Sequence, residues 1–437
     1  MQDAPTIFAL STAPGRAGIA VVRVSGSRAG ALIDALAKPR PKPRRAALRR
    51  IRDPDTGEVL DEGLVLYFAA PHTETGEDIA EFQLHGGPAI VKGLLAVLAR
   101  QPGCRLAEPG EFARRACTHG RIDLGEAEGL ADVVGAETEA QRGQALRQMG
   151  GALSALYEGW RFMLVEASAL VEAAIDFSDE EDVANDAFAR ARDIARDLHR
   201  AIAGHLDDRH QGEILREGFR VVLAGPPNVG KSSLLNALAR RDAAIVSEEA
   251  GTTRDVIEVR LDLGGYPVVV TDTAGIREAG GAVEEEGIRR TLAHARDADL
   301  VLWLSDASAD PSPPPSELGD KILAVRTKID LAPAAGDKLG VSAKTGAGLP
   351  ELTKRLAGIV RDRIGLTESP AITRARHREH LQACLKALDS FLSGPVNVIE
   401  LRAEDLREAG QALGRITGRV DVEDILGEIF GRFCIGK

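Results

Sequence analysis

The sequence predicts a multidomain chain of α/β plus α class: an N-terminal α/β domain and a helical domain in two separated pieces, with a P-loop α/β domain of Ras-like type inserted between them. Three observations carry this. The chain has 437 residues, too many for one ordinary core. Its texture turns helical over residues 119–214 and again from about 370. Between those stretches, an apolar strand, a glycine-rich loop and a helix follow one another at 219–240.

The first segment, 1–118, mixes short strands and helices. IAVVRVSG (19–26) reads as a buried strand, VLYFAAP (65–71) as another, and DIAEFQLHGGPA (78–89) as a strand entering a Gly-Gly turn at which His85 is a turn residue. The basic run KPRPKPRRAALRRIR (38–52) reads as a solvated loop rather than an RNA contact. Over 119–214 proline vanishes, and Leu153, Leu156, Trp160, Leu164 and Ala167 recur at helical spacing, which predicts a bundle core. From 215 to 368 strands and helices alternate as in a doubly wound domain, with DPSPPPSE (310–317) as a surface linker. Residues 369–437 supply the second helical piece.

Composition narrows the function classes. A hydrophobic fraction of 44% is that of a globular chain, and no apolar run approaches the ~20 residues of a membrane span. The four cysteines, Cys104, Cys117, Cys384 and Cys434, form no CxxC pair, which points to a reducing, cytoplasmic setting. The net charge of −11 argues against nucleic-acid binding through overall charge.

The chemistry concentrates in the inserted domain. GPPNVGKS (225–232) matches GxxxxGK(S/T) in its required strand–loop–helix context. Gly225 and Gly230 let the backbone aim N–H groups at phosphates, with Asn228, Val229 and Ser233 completing the cradle. Lys231 is placed to reach the β- and γ-phosphates, and Ser232 to ligate Mg²⁺. Asp272 ends the strand PVVVTD and would hold Mg²⁺ through water, followed by Thr273, Ala274 and the γ-phosphate-sensing Gly275. GTTRD (251–255) lies where a switch segment belongs, with Thr253 as second hydroxyl ligand of Mg²⁺.

Guanine offers N1–H and N2–H on one edge, so its selection needs a carboxylate. TKID (327–330) supplies Asp330, Lys328 to lie over the base, and Thr327 where the usual motif has Asn. Threonine cannot copy an amide's paired donor and acceptor, so Thr327→Asn is expected to tighten GTP binding. Ser342, Ala343 and Lys344 add contacts after the next strand. Ile276 stands where Ras-like GTPases carry a water-orienting Gln, so hydrolysis needs another device, and Glu284 is the candidate. The residues alone leave Glu284 equally open to being an ordinary exposed carboxylate.

Several segments together extend this reading. TIFALSTAPGRAGIAVVRVSG, TGEDIAEFQLHGGPA, PGEFARRACTHGRIDLGEAEGLAD, VEAAIDFSDEE and the terminal FCIGK accompany the nucleotide motifs. Essentially the whole chain resembles the bacterial MnmE (TrmE) family of tRNA modification GTPases. The resemblance implies a homodimer that works with the flavoprotein MnmG as a heterotetramer. Together they add a carboxymethylaminomethyl or aminomethyl group to C5 of wobble uridine in tRNA. It implies an N-terminal domain that binds a tetrahydrofolate one-carbon derivative (5-formyl or 5,10-methylene), with Arg23, Glu81, Arg121 and Lys437 at its contacts. It also implies potassium-dependent pairing of G domains, with Asn228, Ser247, Glu249 and Thr252 around the ion, and Glu284 as the catalytic glutamate. Cys434 is then expected near the one-carbon donor, as a nucleophile or proton carrier, with a small apolar anchor for the tail as the alternative.

A ribosome-assembly or signalling GTPase related to Era is the alternative, without one-carbon chemistry. The KH-type GxxG loop such proteins append is absent from 370–437.

Overall fold

The computed structural model describes residues 4–177, 179–240, 244–245, 257–272, 297–310, 313–333, 339–365, 370–395, 398–419, 429–431, 433 and 436. The chain divides into two compact units, Met1–Ala131 with Leu413–Lys437, and Asp132–Ala412.

The first unit is built on β1 (Thr6–Leu10), β2 (Ala17–Ser25), β3 (Ala47–Arg52), β4 (Val59–Phe68), β5 (Ile79–Gly86) and β6 (Cys104–Leu106). They form one sheet in the order β3-β4-β5-β2-β1-β6, antiparallel except where β6 runs parallel to β1. Alternation sets its faces. Phe8, Val22, Val24, Phe82 and Leu84 point to a core shared with α1 (Ala29–Leu36) and α2 (Pro88–Arg100). From the other side of β1, Ile7 and Ala9 pack on Phe112 of α3 (Glu111–Thr118). α4 (Leu124–Gly135) contributes Leu124 and Ala127 to a small cluster with Ala113 and Phe430.

The basic run departs from its expected loop. Its proline-rich start is irregular, but ALRRIR forms the edge strand β3, because Ile51 is fully buried and anchors the alternation. Charged residues on an exposed sheet edge discourage pairing with another chain. His85 likewise lies inside β5 rather than in a turn, its Nδ1 2.9 Å from Asp61.

The second unit holds α5 (Glu139–Met149), α6 (Ala152–Asp176), α7 (Glu181–Leu206) and α8 (Gln211–Glu217). α5 begins on a reciprocal capping box between Thr138 and Gln141. On α6, Leu153, Trp160, Leu164 and Ala167 are buried as expected; Leu156 is half-buried, and its neighbour Tyr157 takes the core position. The ring of Tyr157 lies 5.5 Å from that of Trp160 and 5.9 Å from that of His205, a cluster that holds α6 against α7.

The inserted domain follows from β7 (Phe219–Ala224), with α9 (Lys231–Ala239), β8 (Ile257–Asp262), β9 (Pro267–Asp272), β10 (Leu300–Asp306), β11 (Ile322–Thr327) and α10 (Leu349–Ile364). Its sheet order is β11-β10-β7-β9-β8, parallel except for the edge strand β8. Near-continuous apolar runs such as LVLWL in β10 suit strands covered on both faces. The expected linker at 310–317 closes into a 3₁₀ segment, Ser316–Lys321, before β11. The helical chain resumes with α11 (Ala375–Ser393) and α12 (Ile399–Thr417). It does so beside its point of departure: a Cβ on Gly212 would stand 2.3 Å from the Ile372 carbonyl oxygen, so only glycine admits this approach.

Candidate functional site

In an open parallel sheet, ligands bind outside the carboxyl ends of the strands. Those ends are Ala224, Asp272, Asp306 and Thr327, and every described candidate for nucleotide binding collects on them or on the loops they start.

The phosphate loop leaves β7 at Gly225, whose φ of +142° and 2.4 Å approach to the Leu304 carbonyl both exclude a side chain. Asn228 (φ +60°) and Gly230 (φ +102°) are left-handed. They turn the loop so that α9 begins at Lys231 with free N–H groups facing the crevice. The Lys231 ammonium donates to the carbonyls of Gly225 at 2.9 Å and Pro226 at 3.0 Å, inside the loop it is to share with phosphates. Burial pushes its pKa down, and the Asp272 charge offsets part of that. The Ser232 hydroxyl donates to the Asp272 carboxylate at 2.5 Å. A hydroxyl and a buried carboxylate converging on one point are the hard oxygen donors Mg²⁺ takes, so this pair fits the ion.

On the base side, Asp330 accepts a hydrogen bond from the Ser342 hydroxyl at 2.6 Å. That bond is the main reason its carboxyl titrates below the usual range. Lys328 (φ +59°) is pinned by Asp306, 2.8 Å from its ammonium. Lys328, with help from Ser308, holds the Asp306 carboxyl down to about 2. Asp306 is a partner that sequence reading missed; its position at the end of a buried strand, one strand from the phosphate loop, is the signal that would have found it. Ala343 and Lys344 follow Ser342 on the same loop.

Ser247, Glu249, Thr252, Thr253, Thr273, Ala274, Gly275, Glu284, Cys434 and Lys437 lie outside the described residues. Among the described cysteines, Cys104, Cys117 and Cys384 are free thiols. Burial pushes Cys117 and Cys384 up to about 12, so neither is a ready nucleophile.

A second polar group stands on the sheet of the first unit. Arg23 pairs with Glu74 at 2.7 Å and Glu81 at 3.1 Å, with its guanidinium 6.0 Å from the Phe112 ring centre. Arg121 donates through Nε to the Thr73 carbonyl at 3.1 Å. The structure thus brings Arg23 and Glu81 into contact and sets Arg121 on the same 73–74 segment. The tail reaches this unit as well, because the Ser11 hydroxyl donates to the Gly436 carbonyl at 3.0 Å.

A cavity of about 450 Å³ between α5 and α8, lined by Gln144, Gln148, Arg216 and Arg220 among others, meets β7 at its amino end, the edge opposite the phosphate loop. It is therefore not the nucleotide site.

The family described as "MnmE helical domain" matches residues 124–434, and "GTP-binding protein TrmE N-terminus" matches residues 6–121. A tRNA modification GTPase MnmE from Parvibaculum lavamentivorans is 53% identical, covering 99% of this chain and 100% of that protein. Those from Maricaulis maris and Beijerinckia indica are 50% and 51% identical, each covering 99% of this chain and 99% and 96% of theirs. Among solved structures, the G domain of the T. maritima FeoB iron transporter is 28% identical over 34% of this chain and 99% of that one, with a TM-score of 0.25. With family matches over residues 6–121 and 124–434 and half-identical relatives end to end, the chain belongs to the MnmE family of tRNA modification GTPases.

Proposed function

We propose that this chain couples GTP hydrolysis to the attachment of a carboxymethylaminomethyl or aminomethyl group to C5 of the wobble uridine in tRNA, acting with a flavoprotein of the MnmG type in a heterotetramer. The observation that carries this reading is the presence of two polar sites on separate folding units, a guanine-nucleotide crevice and the Arg23–Glu81 group. A simple switch needs the first alone.

In the crevice, Lys231 exchanges its loop carbonyls for β- and γ-phosphate oxygens, and the α9 amino end adds its partial positive charge. Ser232 and Asp272 would hold Mg²⁺, which neutralises developing phosphate charge. Asp330 orients the base. Glu284 is the residue proposed to position the attacking water. Asn228, Ser247, Glu249 and Thr252 are proposed to surround potassium, which serves in place of an arginine finger.

The Arg23 group suits a folate. A pterin presents N–H donors that Glu81 accepts, and its glutamate tail calls for a cation such as Arg121, with Lys437 beside it. Bound there, a tetrahydrofolate one-carbon derivative supplies the carbon that is transferred. The contact of Gly436 with Ser11 supports a place for Cys434 near that site.

Dimerisation is proposed through the outer face of the same sheet. Leu48 and Leu64 pair across β3 and β4 and are 59% and 41% exposed. Glu81 pairs with Leu66 and Arg23 on that face, so a second copy would cover both. No helix among the described residues is long and apolar enough to cross a membrane. Acting on tRNA, the proposed activity belongs in the cytoplasm.

Mass analysis of tRNA from cells lacking this protein tests the whole. The C5 group should be missing from wobble uridines and return with the wild-type chain. An unchanged modification profile would overturn the proposal.

A further inference from the structure

The Thr327 hydroxyl has a precise and unexpected occupation. It is buried, 4% exposed, and donates to the Val229 carbonyl of the phosphate loop at 2.7 Å. The Ser305 carbonyl lies 3.4 Å from the same oxygen. Both neighbours are acceptors, so the single proton of the hydroxyl is committed whichever of them takes it. The arrangement is built from both sides. Left-handed Asn228 and Gly230 flank Val229 and turn its peptide inward. Thr327 itself is the last residue of β11, paired to Asp306 across the sheet.

Two consequences follow from the chemistry of guanine. The edge bearing N1–H and N2–H is served by Asp330, and the remaining edge carries only acceptors, O6 and N7. An asparagine at position 327 would have two amide protons, one for the Val229 carbonyl and one to spare for N7. Threonine has one, already spent. Lys328 has its ammonium on Asp306, and the Ser342 hydroxyl is turned to Asp330.

We infer that Thr327 is a positioning residue that ties the base-reading loop to the phosphate loop, and that this GTPase selects guanine without reading N7. The inference rests on the GTP site described above and refines it. It also explains how the site keeps its shape with Thr in the Asn position: the tether is retained and the base contact given up.

Equilibrium binding of GTP and 7-deaza-GTP to the full-length protein tests this. The wild-type chain should bind the two within about twofold, since no hydrogen bond distinguishes them. Discrimination of about fivefold or more, the worth of one such bond, would overturn the claim about N7. Thr327→Val removes the tether at nearly constant volume, and should weaken both nucleotides about tenfold while leaving their ratio unchanged. Thr327→Ser should restore binding to both. A Thr327→Val protein of wild-type affinity would refute the tether. Thr327→Asn should tighten GTP several-fold and leave 7-deaza-GTP as it was; equal tightening of both would also count against the N7 argument. Failure of the wild-type chain to bind either nucleotide would instead defeat the GTP site itself, so the two readings fail separately. Circular dichroism and thermal melts of each variant separate loss of the tether from loss of the fold.

Discussion

Replacing Arg115 by Met should loosen the proposed one-carbon site while leaving GTP hydrolysis alone. The Arg115 guanidinium is the hub of a buried network. It reaches both Glu77 oxygens at 2.9 and 3.0 Å, Glu111 at 3.0 Å and the Pro5 carbonyl at 2.7 Å. Its side chain is 10% exposed, that of Glu111 3% and that of Glu77 15%. Methionine keeps the aliphatic stem and deletes every donor. Breaking a buried pair from one side costs about 3–5 kcal/mol. Glu111 would keep Arg105 at 2.6 Å, and Glu77 would keep the Ser25 hydroxyl at 2.7 Å, so the lower end applies. About 3 kcal/mol is roughly two decades in an equilibrium constant. Hydrogen exchange of the β2 and β5 amides, which frame the 73–78 loop, should therefore speed up about 100-fold. Because that loop carries Glu74 against Arg23 and the Thr73 carbonyl against Arg121, folate binding should weaken with it. GTP turnover belongs to the other folding unit and should stay within about twofold. Exchange in β2 and β5 within about threefold of wild type would show that Arg115 is not the hub.

Four further expectations concern the active sites. Lys231→Ala should abolish GTP hydrolysis in steady-state assays, since the phosphate charge loses the cation that now sits on Gly225 and Pro226; unchanged turnover would sink the phosphate-loop assignment. With Asp330 as the proposed acceptor of the base, guanine binding needs its carboxylate ionised; its pKa is depressed chiefly by Ser342, so affinity should persist as pH falls below the ordinary carboxylate range. Ser342→Ala should return that pKa toward its usual value and move the acidic loss of binding to higher pH, and calorimetric titrations that superimpose for the two proteins would contradict this. Hydrolysis should run faster in potassium than in sodium at equal ionic strength, and Glu284→Ala should slow turnover with nucleotide binding near normal; equal rates in both salts would remove the potassium proposal. Cys434→Ser should leave GTP hydrolysis intact and stop wobble-uridine modification, whereas normal modification by that variant would leave Cys434 as an anchor of the tail.

How much of this could be read in the sequence depended on how local each feature is. The fold of the phosphate loop was legible because its strand, its glycines and its helix are consecutive. The position of Asp330, just past the end of β11, was legible for the same reason. Asp306 was not, because its meaning comes from Lys328, twenty-two residues away and one strand across the sheet. The Arg115 network joins segments up to 110 residues apart, and nothing in GEFARRAC distinguishes the buried Arg115 from the half-exposed Arg114 beside it. The basic stretch misled because three prolines dominate its first half, while the strand-forming signal, alternation around Ile51, occupies the second. On α6, Leu156 fits a helical stripe as well as Tyr157 does; packing against His205, which no periodicity encodes, decided between them.

The close approach of Gly212 to Ile372 bears on how such a protein could have arisen. The helical chain is cut at two points about 160 residues apart in sequence, yet the cut ends meet backbone to backbone. Joining them directly would ask for no more than a short turn. A host with its ends so placed can acquire, lose or exchange an entire nucleotide-binding module without rearranging its own bundle, because the entropic cost of a longer or shorter insertion grows only slowly with its length. The same junction leaves the module on two adjacent stems, α8 on the way out and the segment before α11 on the way back, which form a single handle. In mechanical terms, this handle works together with a second hold on the G domain, where Arg260 pairs with Glu137 at 3.0 Å and the Ala140 amide donates to the Gly265 carbonyl at 3.0 Å, so motion passes between module and host at both places.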